Sequence, residues 1–177
     1  MQFTEMRVSG AVVIDLEPRQ DARGFFARML CRKEFEGHAL QSDFVQWNNS
    51  YSVSRGTLRG LHYQTTPHEE AKLVRCIGGA VFDVVADVRR GSPTFGRWFG
   101  VELSATNRRM LFVPPGCAHG YLTMVDGAEV IYGVTAPYAP TAERGVRWDD
   151  PLFNIEWPDV GALTLTDKDR HWPDTEP

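Results

Sequence analysis

Across most of its length the chain is built from short runs rich in Val, Ile, Phe and Tyr, cut at close intervals by Gly, Pro and Asp-Gly. Such punctuation leaves no room for long helices and suits an all-β sandwich or barrel, whose strands are a few residues long and joined by tight turns. The best helical candidate, "RKEFEGH" at Arg32 to His38, spans only one or two turns, which argues against a helical bundle or an alternating α/β fold. No internal repeat, low-complexity tract or linker-like run breaks the pattern before the last few residues. At 177 residues with 42% hydrophobic content, a single domain over residues 1–177 is expected.

Two turns suggest strand registers. In "KLVRCIGGAVFDVVADV" the Gly78-Gly79 pair suits a two-residue hairpin turn, which needs positive φ. Pairing Ile77 with Ala80 would set Val74 opposite Asp83 and Lys72 opposite Val85, with all four on one sheet face. In "HGYLTMVDGAEVIYGV", Asp126-Gly127 is a strong hairpin signal. Pairing Val125 with Ala128 would set Tyr121 opposite Tyr132 and His119 opposite Val134, so that His119 and Tyr132 share a face. A one-residue slip would reverse the second assignment.

Charge narrows the partners. A net charge of −4 offers no basic field for nucleic acid or an anionic membrane. No apolar run approaches the roughly 20 residues of a membrane span. The opening "MQFTEMRVSG" lacks the layout of a signal peptide, so a cytoplasmic protein is expected. Cys31, Cys76 and Cys117 show neither zinc-site nor disulfide spacing and read as free thiols.

Arg23, Arg59, His62, Lys72, Asp83, His119, Tyr132, Tyr138 and Asp169 are polar groups set in or beside apolar strand-like sequence. Burying such groups costs several kcal/mol unless they are paired, so a cluster of them points to a site. For a metal, two closely spaced histidines and a carboxylate are the usual signature, and "LHYQ" offers one His and a Gln. Cys117 lies two residues from His119 without an oxyanion-hole motif, which is weak support for a nucleophile. Acid–base chemistry beside a carbonyl fits the inventory best: a histidine base, a tyrosine acid, a lysine beside developing negative charge, and arginines for a diphosphate.

The ordered segments "DARGFFAR", "RGLHYQ", "KLVRCIGGAVFDVVADVRRGSPTFGRW", "PPGCAHGY", "YAPTAERGVRWDDP" and "LTDKD" cover most of the chain and resemble the dTDP-4-dehydrorhamnose 3,5-epimerase family of nucleotide-sugar epimerases. The resemblance implies a cupin-like jelly-roll barrel, no metal or organic cofactor, and a homodimer with the N-terminal strand as a candidate for exchange. It makes His62 the base, with Asp169 behind it, Tyr132 the acid on the opposite face of the sugar, and Lys72 the group beside O4. Arg23, Arg59, His119, Gln46, Asn48 and Tyr138 would line the substrate pocket, and Asp83 is expected with them. The implied reaction inverts C3 and C5 of a nucleoside-diphosphate 4-keto-6-deoxyhexose. A single-carbon epimerase, a metal-dependent cupin enzyme and a non-catalytic sugar-nucleotide-binding module are the alternatives. Arg28, Glu70, Ala136 and Pro137 depart from the family pattern.

One local conflict follows from strict alternation, which puts Arg59 and His62 on opposite faces of a regular strand. If both reach one substrate, Gly60 must mark a bulge or sharp twist.

Overall fold

The computed structural model describes residues 1–176. In chain order these form β1 (Gln2–Glu5), β2 (Val12–Asp15), β3 (Arg19–Asp21), β4 (Gly24–Phe26), α1 (Arg32–Gly37), β5 (Gln46–Ser52), β6 (Leu58–Gln64), β7 (Lys72–Gly78), β8 (Ala80–Asp87), β9 (Trp98–Ser104), β10 (Met110–Val113), β11 (Cys117–Thr123), β12 (Ala128–Val134), β13 (Glu143–Gly145) and α2 (Asp167–Arg170). A six-stranded sheet runs β1-β2-β10-β7-β12-β5 and a five-stranded sheet β13-β6-β11-β8-β9, with β3 and β4 as a separate two-stranded ribbon. Pairing between these strands is antiparallel. The two large sheets face one another as a jelly roll, the cupin-like all-β fold expected from the sequence.

Alternation along the strands makes the layers. Val74, Cys76, Leu111 and Val130 from the larger sheet meet Val81, Val85, Leu103 and Cys117 from the smaller one in the central core. The intervening residues of β8 and β11 face the other way. Val84, Ala86 and Ala118 are covered by Val146, Phe153, Leu152 and Trp157 of the C-terminal segment, which explains why those strands read as nearly continuous apolar runs. Phe35 of α1 and Leu40 cover Leu73, Met110 and Phe112 on the outer face of the larger sheet. Toward β5 that face stays open, and Val45, Trp47, Tyr51, Val53 and Ile77 are exposed.

The two expected hairpins do not form. β7 pairs with β10 and β12, β8 with β9 and β11, and β11 with β6 rather than with β12. Each turn instead carries the chain from one sheet to the other. Gly79 and Gly127 do take positive φ, both +68°, but the same residues serve a hairpin and a corner between sheets. At Gly79 a Cβ would stand 2.8 Å from Val125 Cγ2, so the two corners pack on each other. Lys72 and Val74 still share the interior with Asp83 and Val85, and His119 shares it with Tyr132, but across the space between sheets and not along one of them.

The irregularity expected at Gly60 is present. His119 pairs with His62 and Tyr121 with Arg59, two steps on β11 against three on β6, which leaves one extra residue on β6. Gly60 has φ +111°, and a Cβ there would lie 2.7 Å from Gly120 Cα and from the His119 carbonyl oxygen. A Cβ on Gly120 would in turn lie 2.6 Å from the Arg59 carbonyl oxygen. The two backbones approach this closely because neither residue has a side chain, and the extra residue lets Arg59 and His62 line the same cavity.

Gly60→Ala should therefore cost about 3 kcal/mol, the sum of a positive-φ penalty and overpacking. Gly37→Ala, where nothing lies within 4 Å, should be close to neutral. Urea unfolding measures both, and equal midpoints would remove the close-approach explanation.

Candidate active site

Between the sheets lies a cleft of two lobes, about 320 and 330 Å³, with His62, Lys72 and Tyr132 as their common wall. His62 comes from the smaller sheet, and Lys72 and Tyr132 from the larger one. The sandwich thus sets a histidine across from a lysine and a tyrosine.

His62 Nε2 lies 2.6 Å from Asp169 Oδ1, which leaves Nδ1 as the ring nitrogen available to a substrate. Asp169 belongs to α2, whose Thr166 side chain accepts from the Asp169 amide as an N-cap. Burial opposes the charge on Asp169, but hydrogen bonds from His62, Thr166 and the Gly60 amide, with the charge of His62, outweigh it and hold the carboxyl below its ordinary range. Trp172 packs edge-on to the His62 ring. It occupies the space a side chain on Gly145 would need, and Gly145 pairs with His62 in the sheet.

Lys72 is 7% exposed. Its ammonium donates to the His62 carbonyl at 3.0 Å and pairs with Glu70 Oε1 at 3.3 Å. Burial lowers the Lys72 pKa, and Glu70, Asp83 and Glu143 act in the opposite sense without cancelling it. Tyr132 is moved the other way: burial raises its pKa, with Tyr121, Glu70 and Glu143 adding and Arg59 opposing. At neutral pH Tyr132 is therefore a phenol with a proton to give.

Arg59, His119, Lys168 and Ser50 line the second lobe. The Arg59 guanidinium is steadied by Ser52 Oγ at 3.3 Å and the Tyr51 carbonyl at 3.2 Å. Gln46 and Asn48, on the inward side of β5, line the first lobe with Tyr138 and Glu143. Gln46 donates to Asn48 at 2.9 Å, and Tyr138 at the rim donates to Glu143 at 2.8 Å.

Two expected positions do not line the cleft of this chain directly. Asp83 has no exposed surface and stands behind His119, with Oδ1 2.8 Å from Nε2, so it reaches a substrate only through that imidazole. Its inward direction comes from the β8 alternation, and its depth from the way the facing sheet closes over it. Arg23 sits in the turn between β3 and β4, with its side chain 90% exposed and paired with Asp21 at 2.5 Å. It lines neither lobe, because the ribbon that carries it is not joined to either large sheet.

Sequence reasoning missed Gln64, Glu143, Lys168 and Trp172, and gave Glu70 no role. Lys168 and Glu143 pair at 2.6 Å and tie α2 to β13. Both lie inside segments singled out for the resemblance, "LTDKD" and "YAPTAERGVRWDDP", and a charged residue beside each motif's main group was the available signal. Glu70 and Gln64 are buried together, with Gln64 Nε2 donating to Glu70 Oε2 at 2.8 Å. Of the other departures, Arg28 pairs with Glu34 at 2.5 Å, Ala136 lines the first lobe, and the Pro137 carbonyl accepts from Gln64. Among the described residues no three His, Cys, Asp or Glu side chains converge as a metal-binding group.

A jelly-roll barrel with a His–Asp pair facing a buried lysine and a phenol is a cupin-like enzyme site equipped for acid–base chemistry. The family model described as dTDP-4-dehydrorhamnose 3,5-epimerase matches residues 5–176, and the chain belongs to that family. A Shigella flexneri protein named dTDP-4-dehydrorhamnose 3,5-epimerase is 48% identical over 160 residues, 89% of this chain and 87% of that one. The solved Elizabethkingia anophelis enzyme of the same name aligns with TM-score 0.95 and 37% identity, over 98% of this chain and 96% of its own. A Bacillus anthracis enzyme of that name, solved with TDP and PPi bound, aligns with TM-score 0.92 and 40% identity over 98% of both chains.

Cys117 is no nucleophile here. Burial pushes its thiol up to about 12, and Cys76 is buried as well. Iodoacetamide on the native protein should label Cys31 and leave Cys76 and Cys117 until the chain unfolds, as read by peptide mass spectrometry. Rapid native labelling of Cys117 would show that its strand is open.

Proposed function

We propose that the protein inverts C3 and C5 of a dTDP-linked 4-keto-6-deoxyhexose by proton abstraction on one face and reprotonation on the other. The observation that carries this reading is the placement of His62 and Tyr132 on opposite sheets, facing a cleft they share with Lys72. Inversion needs a base and an acid on opposite faces of one carbon, and two facing sheets supply that geometry. The family name of the relatives supports the substrate class.

The protons on C3 and C5 are α to the C4 ketone, so either can leave if the resulting enolate is stabilised. Nδ1 of His62 takes the proton, and Asp169 fixes the ring and balances the imidazolium. Lys72 holds the charge that moves to O4. Tyr132 gives a proton from the far side, and exchange with solvent returns His62 and Tyr132 to their starting forms before the second carbon reacts. Arg59 and Lys168 make the second lobe the cationic end, suited to the diphosphate, and His119, braced by Asp83, lies between that end and the sugar. Gln46, Asn48 and Tyr138 complete the pocket. Proton transfer by a positioned group is worth about 10² to 10⁴-fold and a donor aimed at the oxyanion a similar amount. Nucleotide binding supplies the rest by positioning.

We place Arg23 at the substrate of a second copy. The separate β3–β4 ribbon projects Arg23 with Phe25 and Phe26 exposed, and the outer β5 face shows Trp47, Tyr51 and Val53 to solvent. Exposed apolar residues on these two elements fit a homodimer. In the described residues no helix is long and apolar enough to cross a membrane.

With dTDP-4-keto-6-deoxyglucose in D₂O, NMR should show deuterium entering at both C3 and C5. His62→Ala should abolish the exchange, whereas Tyr132→Phe should slow reprotonation and leave exchange without inversion. Exchange at C3 alone would select a single-carbon epimerase, and wild-type turnover in His62→Ala would mean the base is another group. Sedimentation should give a dimer that Trp47→Glu with Tyr51→Glu dissociates, and a monomeric wild type would return Arg23 to a surface role.

A further inference from the structure

Lys72 faces an unusually mixed set of groups. From β6 come the His62 ring and carbonyl and Arg59, from β8 Asp83, from β11 His119, from β12 Tyr132, from β13 Glu143, from α2 Lys168 and Asp169, and from the segment before its own strand Glu70. Three carboxylates act on its charge: Glu70, Asp83 and Glu143. Asp83 is bonded to His119, and Glu143 to Lys168 and Tyr138. Glu70 is the one paired with Lys72 itself.

The direction of Glu70 is fixed from behind. Its Oε2 accepts from Gln64 Nε2 at 2.8 Å, and the same nitrogen donates to the His68 carbonyl at 2.8 Å. Gln64 Oε1 accepts from the Ala139 amide at 2.5 Å, so the loop after β12 also holds the arrangement in place. One carboxylate oxygen is therefore committed to Gln64 and the other to the lysine. A carboxylate alone satisfies both contacts, because Gln64 Nε2 and Lys72 Nζ are both donors. A glutamine at position 70 has one acceptor: turned toward Gln64 it points an NH₂ at the ammonium, and flipped it sets two NH₂ groups against each other.

We infer that Glu70 is a positioning residue that keeps Lys72 in its ammonium form within the closed cleft, so that a full positive charge meets the oxyanion as the substrate loses its proton. The inference rests on the reading of Lys72 given above. Of the three ammonium hydrogens, two are directed at the His62 carbonyl and Glu70, which leaves one for a substrate oxygen. At 3.3 Å the Glu70 pair is longer than a tight charged hydrogen bond, so the carboxylate holds the charge without taking the lysine out of reach. Loss of a negative neighbour favours the neutral amine, so the Lys72 titration moves to lower pH, and the alkaline limit of turnover moves with it.

The test reads the lysine directly. In protein labelled with ¹³Cε-lysine, with the Lys72 signal assigned by its loss in Lys72→Met, Glu70→Gln should lower the Lys72 midpoint by about 1–3 units. The alkaline limb of kcat should fall by the same amount, with KM changed far less. Glu70→Asp keeps the charge but withdraws it by one methylene and should give an intermediate midpoint. An unmoved midpoint in whichever variant folds overturns the inference, whatever happens to activity. A midpoint that falls while the kcat limb stays fixed supports the hold of Glu70 on Lys72 and instead overturns the role given to Lys72 in the reaction.

Discussion

Three carboxylates with almost no exposed surface, Glu70, Asp83 and Asp169, each stand behind a basic group that faces the cleft. Taking a charge out of water costs several kcal/mol even after relaxation, and an unpaired buried carboxylate would be protonated instead. The pairings Asp169–His62, Glu70–Lys72 and Asp83–His119 avoid that outcome, and they need partners from separate parts of the chain. Asp169 and His62 are 107 residues apart. The C-terminal segment therefore has to return across the smaller sheet, where it also buries Val84, Ala86 and Ala118. Asp87 shows the same requirement met without a site. It is fully buried, and although burial opposes its charge, hydrogen bonds from Arg89, Ser92 and Thr94 outweigh that and hold its carboxyl down to about 2, pinning the turn before β9.

The backbone gives way where the side chains must converge. In a regular β6, Arg59 and His62 would point to opposite faces, and either the second lobe would lose its guanidinium or both lobes would lose the imidazole. The extra residue at Gly60, against Gly120 on β11, resolves this at the one crossing where both strands lack a Cβ. The Gly60 amide is also among the groups that favour the charged form of Asp169, so the bulge that turns Arg59 inward also supports the carboxylate behind His62. Catalytic reach and local irregularity have one structural cause.

How much of this was legible follows from the range over which each feature is determined. Alternation along β8 and β11 is local, and it correctly turned Asp83 and His119 inward. The need for a bulge at Gly60 was legible too, because it followed from two residues three apart. Which sheet a strand joins is not local: Gly79 and Asp126-Gly127 are the same turn chemistry whether the chain doubles back or crosses over, so both hairpins were misassigned. Depth behaves likewise, since whether Asp83 faces a substrate or backs His119 depends on the facing sheet. Arg23 was identified by motif, but its place outside both lobes follows from a ribbon that the two large sheets do not incorporate. Glu70 was read as a departure from a pattern, while its role depends on a lysine two residues on and a glutamine six residues back that meet only once β6 and β7 lie in opposite sheets.

Desolvation acts on Lys72 and Tyr132 in opposite senses, and the contrast orders the chemistry of the cleft. A free lysine holds its proton slightly more tightly than a free tyrosine. Closing the sheets over both lowers the affinity of Lys72 and raises that of Tyr132, which narrows or reverses the ordinary order. Burial thus extends the protonated range of the phenol upward in pH and draws the titration of Lys72 downward, so that Lys72 is the group burial moves toward the alkaline boundary of the site. The carboxylates work unequally across that boundary. Glu70 and Glu143 stabilise the ammonium and the phenol together, so negative charge near the cleft favours the proton-loaded state of both groups. His62 is served differently: its carboxylate lies behind the ring and fixes which nitrogen is presented, without adding another negative group at the open side where the enolate must form. One cleft thus holds a lysine and a phenol on which the nearby carboxylates act in the same sense, and a histidine whose carboxylate lies behind its ring and fixes the nitrogen it presents.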